Sequence, residues 1–306
     1  MAADAQSGIR IPDTPMRDVT TFQLGGPCRC RVDCDRPESL LQTLREFTAS
    51  GESPVVIGGG SNLLVSDAGL DSPVIRYVRD TLDVQRQGGE VEVDGCAPLA
   101  ALADWSVEEG LAGLVFATGI PGTVGGAIAG NAGAFGEQMA DRLASLRVAD
   151  RQGRVRVADP LEFAFHYRTS SFRDCGDLVV SARFILRPGD RGALRAERDR
   201  ILAFRLDRHP DWKTLPTAGS FFRNIEPTSA ASRRQAAGWF LDQVGARDLR
   251  VGGAAVFHKH ANILVKADPS CTARDVLELS RRMAEAVWAR FQFRLVPEVR
   301  TLGVFD

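Results

Sequence analysis

The chain has 306 residues, with 38 Lys and Arg against 39 Asp and Glu, a formal net charge of −1, and 44% hydrophobic residues. Its length points to two domains or three small ones, and its composition is that of an ordinary globular protein. Near-neutrality excludes a chain whose main work is neutralising nucleic-acid phosphates or coating an anionic membrane, but leaves room for a local basic pocket around one anionic ligand.

Met1 to Asp18 is polar, with Asp4, Arg10 and Asp13 in it. It offers no signal-peptide apolar core, so a cytoplasmic protein is expected. Arg29–Asp33 reads as a strand and Leu40–Thr48 as an amphipathic helix, with Pro37 and Glu38 in its first turn. Ser53–Ile57 is a strand running into Gly58-Gly59-Gly60-Ser61-Asn62, and Pro73–Val78 is another. The protein therefore opens β-α-β-turn-β, a small α/β unit. Glu90–Val93 is a strand and Leu99–Glu109 a helix ending at Gly110.

From Gly110 to Gly136 no residue is charged, and nine of these 27 are Gly, with Pro121 in the middle. The length invites a membrane reading. Gly and Pro at that density would break any helix, so the expectation is buried backbone that approaches something closely. Leu146–Ala149, Val155–Val157 and Leu178–Leu186 are β-like, with a hairpin turn at Asp150–Gly153, and Arg187–Asp190 closes this more β-rich part. Arg191–Arg208 is helical and strongly basic. His209-Pro210 and Pro216 bracket a loop leading to Ala218-Gly219-Ser220-Phe221-Phe222. Arg233–Val244 and Ala273–Phe291 read as amphipathic helices, the second capped by Thr272 with Asp275 as its third residue. Ala261–Val265 is a strand between them, and Glu298–Gly303 a final strand.

The six Cys (28, 30, 34, 96, 175 and 271) are too scattered for a disulfide framework and lack zinc spacing, so buried free thiols are expected. The run Gly58–Asn62 lacks the third Gly and long helix of a dinucleotide fingerprint. It reads either as a nest of N–H groups around a phosphate or as a tight turn. The second cluster, Gly119, Gly122, Thr123, Gly125, Gly126, then Asn131, Ala132 and Gly133, reads as its partner on a pyrophosphate-bearing ligand or as a glycine-rich crossover. Arg168, between Tyr167 and Thr169-Ser170-Ser171, is either a structural ion-pair partner or a carboxylate clamp. Ser220 lies outside any nucleophile elbow, and its local sequence alone favours a turn residue. His258 and His260 lack companions at metal spacing, so the edge of an exposed strand is expected and no metal site.

Taken together, these segments resemble the UDP-N-acetylenolpyruvoylglucosamine reductase (MurB) family in its shorter form, from about Thr20 to Gly303. The likeness rests on Thr21-Phe22-Gln23-Leu24-Gly25-Gly26, Ile57–Asp67, Gly119–Gly136, Tyr167-Arg168-Thr169-Ser170, Ala218–Asn224, His260-Ala261-Asn262 and Pro297-Glu298-Val299-Arg300. It implies an α+β fold: two α/β subdomains (1–78 and 79–208) binding non-covalent FAD in the vanillyl-alcohol-oxidase manner, and a substrate domain (209–306) whose last strand could return to the FAD domain. It implies a monomeric, NADPH-dependent oxidoreductase that reduces the enolpyruvyl group of a UDP-linked sugar for peptidoglycan synthesis.

On the family pattern Ser220 is the proton donor, and Arg168 and Glu298 polarise the enolpyruvyl carboxylate. Both glycine clusters hold FAD phosphates, and Tyr167, Arg223, Asn224, His260 and Arg300 contact substrate. The family usually has Lys-Asn-Pro where Arg223-Asn224-Ile225 stand, and Ser-Glu-Lys where Phe257-His258-Lys259 stand. A same-fold flavin oxidase or dehydrogenase, acting on another enolpyruvyl sugar nucleotide or an alcohol, is the alternative. A nucleotide-binding module without activity is a third reading.

Overall fold

A computed structural model describes residues 8–227 and 234–305. The chain divides into two units: residues 8–13, Arg29–Gly59 and Ser72–Arg205 form the first, and Thr14–Cys28, Gly60–Asp71 and 206–305 the second.

The first unit is built on two sheets. In one, Val74–Tyr77 runs parallel to both Arg31–Cys34 and Val55–Ile57. The helix Pro37–Ala49 covers it, started by a proline that needs no N–H partner at that position. Its Leu40, Leu41, Leu44 and Phe47 repeat at helical spacing and pack with Val32, Ile75 and Tyr77. Phe47 is fully buried, a contribution of ~1.5–3 kcal/mol over leaving it in water.

The second sheet has five antiparallel strands in the order Val155–Ala158, Leu143–Ala149, Leu178–Ile185, Glu90–Asp94, Val84–Gln87. The hairpin at Asp150 forms as read, its Oδ1 accepting from the N–H groups of Gln152 (2.9 Å) and Arg154 (3.0 Å). The strand Val84–Gln87 was not anticipated, because three of its four residues are exposed and polar. Its sign was the Gly88-Gly89 turn, with Gly88 at φ +61°.

Within the glycine-rich stretch, Val124–Ala129 forms a short helix despite Gly125 and Gly126, against the expectation that none could form there. The physical reason is packing. A Cβ on Gly125 would lie 3.1 Å from the Gly95 carbonyl oxygen, a tight approach that the bare Cα relieves, and Thr123 caps its first turn. The helix Arg191–Arg208 forms as expected, anchored by buried Leu194 and Ile201.

In the second unit, Arg250–Val251, Ala254–Val256 and Leu264–Lys266 form an antiparallel sheet. The strand expected at Ala261–Val265 thus starts three residues later. The helix Ala273–Phe291 closes as read, with Thr272 Oγ1 accepting from the Asp275 N–H (3.1 Å) and Asp275 Oδ2 accepting in return (3.0 Å). Its Val276, Leu279, Met283 and Val287 are fully buried against Leu241, Ala254 and Leu264. The other expected helix is shorter, Ala237–Gln243: Gln235 instead makes a strand-like bridge to Ile225, and Arg233 lies outside the described residues. The last strand, Arg300–Leu302, pairs in parallel with Leu63–Val65.

Cys28, Cys34, Cys96 and Cys271 are buried free thiols. Cys30 is half-buried, and Cys175 is exposed, contrary to expectation, at the end of a four-residue helix turned by Gly176 at φ +79°.

Candidate active site

In the first unit the two glycine clusters meet. A Cβ on Gly59 would stand 3.0 Å from the Gly122 Cα, and one on Gly58 would collide with Thr123 Oγ1. Two loops more than 60 residues apart in the chain therefore touch through bare backbone, which only glycine allows. Four residues before Gly122 in the chain, Thr118 is fully buried, and its hydroxyl has no hydrogen-bond partner among the described residues. A buried hydroxyl left unpaired costs ~1–3 kcal/mol. Bare Cα atoms and an unspent donor suit a cofactor that brings oxyanions. Thr118 was missed in the sequence, where Thr amid apolar residues carries no signal of its own.

The same stretch anchors Arg168. His166 and Thr169 exchange backbone hydrogen bonds (3.0 and 3.2 Å), which places Tyr167 and Arg168 at the tip of a two-residue turn. Asn131 Nδ2 donates to the His166 carbonyl (2.9 Å), and Ser170 Oγ donates to the Ala129 carbonyl (2.7 Å). Arg168 sits at φ +57°, a left-handed conformation that costs a side-chain-bearing residue ~1–2 kcal/mol. Such strain persists where the surroundings impose it and clusters at functional sites. The Asn131 side chain also donates to Gln138 Oε1 (3.0 Å) and accepts from the Ala140 N–H (3.1 Å). It is fully engaged in holding the loop, as are the Asn131 and Ala132 N–H groups, which donate to the Ile128 and Ala127 carbonyls (2.9 and 2.8 Å).

In the second unit the Ser220 segment is stitched on both sides. Ser220 bridges to Ile263 and Phe222 to Pro297. Phe221 donates its N–H to the Asn262 carbonyl (2.8 Å), and its own carbonyl accepts from the Glu298 N–H (2.7 Å). Ser220 is therefore not a free turn residue: it lies in extended chain, half-buried, with half-buried Glu298 on the neighbouring segment. Gly60, at φ +64°, packs on the Val19 backbone. Asn62 Nδ2 donates to the Glu298 carbonyl (3.1 Å), and the Asn62 carbonyl accepts from the Arg300 N–H (3.1 Å). The structure thus brings together Asn62, Ser220, Glu298 and Arg300 within this unit.

Arg223 is half-buried, and its Nε is buried without an acceptor among the described residues. A guanidinium so placed fits an anion. Asn224 is exposed, its Oδ1 accepting from the Ala237 N–H at the start of a helix (3.1 Å). His258 and His260 stand in the turn before Leu264–Lys266, not on a strand edge. Burial holds the His260 pKa below its ordinary value, with nearby Arg247 and Arg208 acting the same way and Asp242 opposing. A separate cleft of about 290 Å³ is lined by Arg17, Asp18, Thr20, Gln23, Trp212 and Lys266. None of the expected site residues lines it.

Residues 210–302 match the C-terminal domain of UDP-N-acetylenolpyruvoylglucosamine reductase, and residues 29–159 match an FAD binding domain. The reductase of that name from Synechococcus sp. (strain JA-3-3Ab) is 36% identical over 98% of this chain and 92% of its own. That from Gloeobacter violaceus is 37% identical over 95% and 96%. The crystal structure of UDP-N-acetylenolpyruvylglucosamine reductase from Thermus caldophilus superposes with a TM-score of 0.79 at 29% identity, covering 97% of this chain and 99% of that one.

Proposed function

The chain belongs to the UDP-N-acetylenolpyruvoylglucosamine reductase family, and from that premise we propose that it reduces the enolpyruvyl group of UDP-N-acetylglucosamine enolpyruvate to give UDP-N-acetylmuramate. NADPH is the reductant and FAD the non-covalent carrier. We read the protein as a cytoplasmic monomer acting in peptidoglycan precursor synthesis. No helix of the described residues is long and apolar enough to cross a membrane. We keep 1–78 and 79–208 as the two FAD-binding parts and 209–306 as the substrate part.

The observation that carries the reading is the pairing of Ser220 and Glu298 on adjoining extended segments, joined through Phe221. Bound flavin would supply the two-electron chemistry. The Gly58–Gly59 and Gly119–Gly126 backbones would hold its phosphates, with the Thr118 hydroxyl as a further donor. The residues of the chain do the rest. Arg168 holds the substrate carboxylate, where negative charge grows as the double bond is reduced, and a fixed guanidinium in a water-poor site counts for more than one in water. Glu298 assists only by donating a hydrogen bond, which requires a neutral carboxyl and so a raised pKa, as a dry site would give. Ser220 holds at Oγ the proton that the enediolate carbon takes. A hydroxyl is a weak acid, but that carbon is a strong base, so position matters more than acidity. Tyr167, Arg223, Asn224, His260 and Arg300 hold the sugar nucleotide.

The test is spectroscopic. The purified protein, reduced anaerobically with NADPH, should recover its oxidised flavin absorbance on adding the enolpyruvyl sugar nucleotide. Its flavin should leave the chain on acid denaturation. Bleached flavin that the substrate cannot restore would overturn the reading.

A further inference from the structure

Asn262 is buried, being 2% exposed, and its side-chain amide and backbone carbonyl are engaged with the segment that follows Ser220. Its side-chain Oδ1 accepts from the Phe222 N–H (2.9 Å), and its Nδ2 donates to the Phe222 carbonyl (2.8 Å). Its backbone carbonyl accepts from the Phe221 N–H (2.8 Å). Its backbone N–H donates to His260 Nδ1 (3.2 Å). The side-chain amide therefore copies what a neighbouring strand's backbone would offer, one donor and one acceptor to a single residue. Only a carboxamide of this length does so: a carboxylate has no donor, and a leucine of equal size has neither group.

The consequence reaches the reacting groups. Phe222 and Phe221 directly follow Ser220, and the Phe221 carbonyl takes the Glu298 N–H. On the upstream side Thr217 Oγ1 donates to the Leu264 carbonyl (2.6 Å) and accepts from the Gly219 N–H (3.1 Å). Gly219 lies at φ +78°, a point where the chain turns without side-chain hindrance. Ser220 is thus fixed at both ends, by Thr217 before it and by Asn262 after it. Its hydroxyl is aimed by backbone, so a loosened Phe222 would let the hydroxyl drift.

We propose that Asn262 is a positioning residue: its carboxamide clasps Phe222 and thereby sets the placement of the Ser220 hydroxyl for proton delivery. The inference rests on the proposed role of Ser220 and is tested so that the two can fail separately.

The measurement is stopped-flow on FAD-loaded Asn262→Leu and Asn262→Asp, each alone and combined with Ser220→Ala. Asn262→Leu should slow flavin reoxidation by the enolpyruvyl substrate about 100-fold, the cost of a misplacement near 1 Å. Reduction by NADPH should stay within about twofold of wild type. Asn262→Asp keeps the acceptor and loses the donor, so it should fall between, at about tenfold, and it tests the idea even if the leucine variant does not fold. In the Ser220→Ala background neither change should slow reoxidation further, because there is no hydroxyl left to aim. Equal slowing of both half-reactions, or slowing that multiplies with Ser220→Ala, would make Asn262 a fold residue only and overturn the proposal. If Ser220→Ala by itself leaves reoxidation unchanged, the role of Ser220 fails first, and the positioning role falls with it.

Discussion

The glycine junction of the first unit and the Asn262 clasp of the second solve the same problem by opposite means. At the junction, Gly59 and Gly122 approach because side chains are missing, and the surface they leave is backbone. At the clasp, Phe221 and Phe222 are held because one side chain, Asn262, has the right two groups. A backbone surface binds whatever presents phosphate oxygens at that spacing, and suits a cofactor common to many enzymes. A hydroxyl aimed by a carboxamide would serve one reacting atom. The two regions should therefore break differently: the first when an atom is added, the second when one is removed.

The largest expected effect is at Ser220. Ser220→Ala should leave flavin reduction by NADPH intact and slow reoxidation by substrate by ~10²–10⁴, the range for losing a general acid. Ser220→Cys should restore part of the rate, since a thiol is the stronger acid. Equal slowing of both half-reactions would mean that the flavin had been disturbed and the clasp misread.

Next comes Arg168, whose turn is held to the glycine-rich stretch through Asn131 and Ser170. Arg168→Lys keeps the charge but loses the two-pronged geometry that a carboxylate prefers. Turnover should fall by ~10²–10³, as for loss of one donor to a developing oxyanion. FAD should remain bound. Near-normal turnover would make Arg168 a structural residue of the turn.

Much of this was legible in the sequence, unevenly. The helices Pro37–Ala49, Arg191–Arg208 and Ala273–Phe291 announced themselves by period, and the last also by its Thr272 cap, because each buries one face and solvates the other. The strands Val84–Gln87 and Arg250–Val251 did not, since exposed and two-residue strands carry little alternation. Gly58–Asn62 and Gly119–Gly126 were visible as unusual glycine, but that Gly59 meets Gly122 is a fact of tertiary structure. Thr118 and Asn262 were the true omissions from the candidate site. Their meaning lies in a partner lacking for one and fully used by the other, and neither condition is written locally.

A smaller effect separates the two regions by steric means. Gly59→Val should push the glycine loops apart at a contact that already stands at 3.0 Å for a single Cβ. Overpacking of this kind costs ~1–3 kcal/mol, so the FAD dissociation constant should rise by about tenfold or more. Flavin fluorescence titration of the apoprotein measures it. Unchanged affinity would remove the junction from the cofactor site.

The smallest expected effect is a pH dependence confined to the clasp. His260 Nδ1 accepts the Asn262 N–H, which a protonated ring cannot do. Burial, reinforced by Arg247 and Arg208 and opposed by Asp242, lowers its pKa in the folded protein below the ordinary value of about 6.5. Between the folded and unfolded pKa values the unfolded chain therefore binds more protons, and stability rises with pH. The contribution is fully present above about pH 6.5. It declines as pH falls through the unfolded pKa and is lost once the folded pKa is passed. Urea unfolding at pH 7.5, 6.5 and 5.5 should show the decline in wild type and a shallower slope in His260→Gln, which cannot titrate. The glycine junction has no ionisable side chain, so Gly59→Val should shift stability by the same amount at each pH. A His260→Gln slope identical to wild type would show that the imidazole does not report on the clasp, whatever its hydrogen bond.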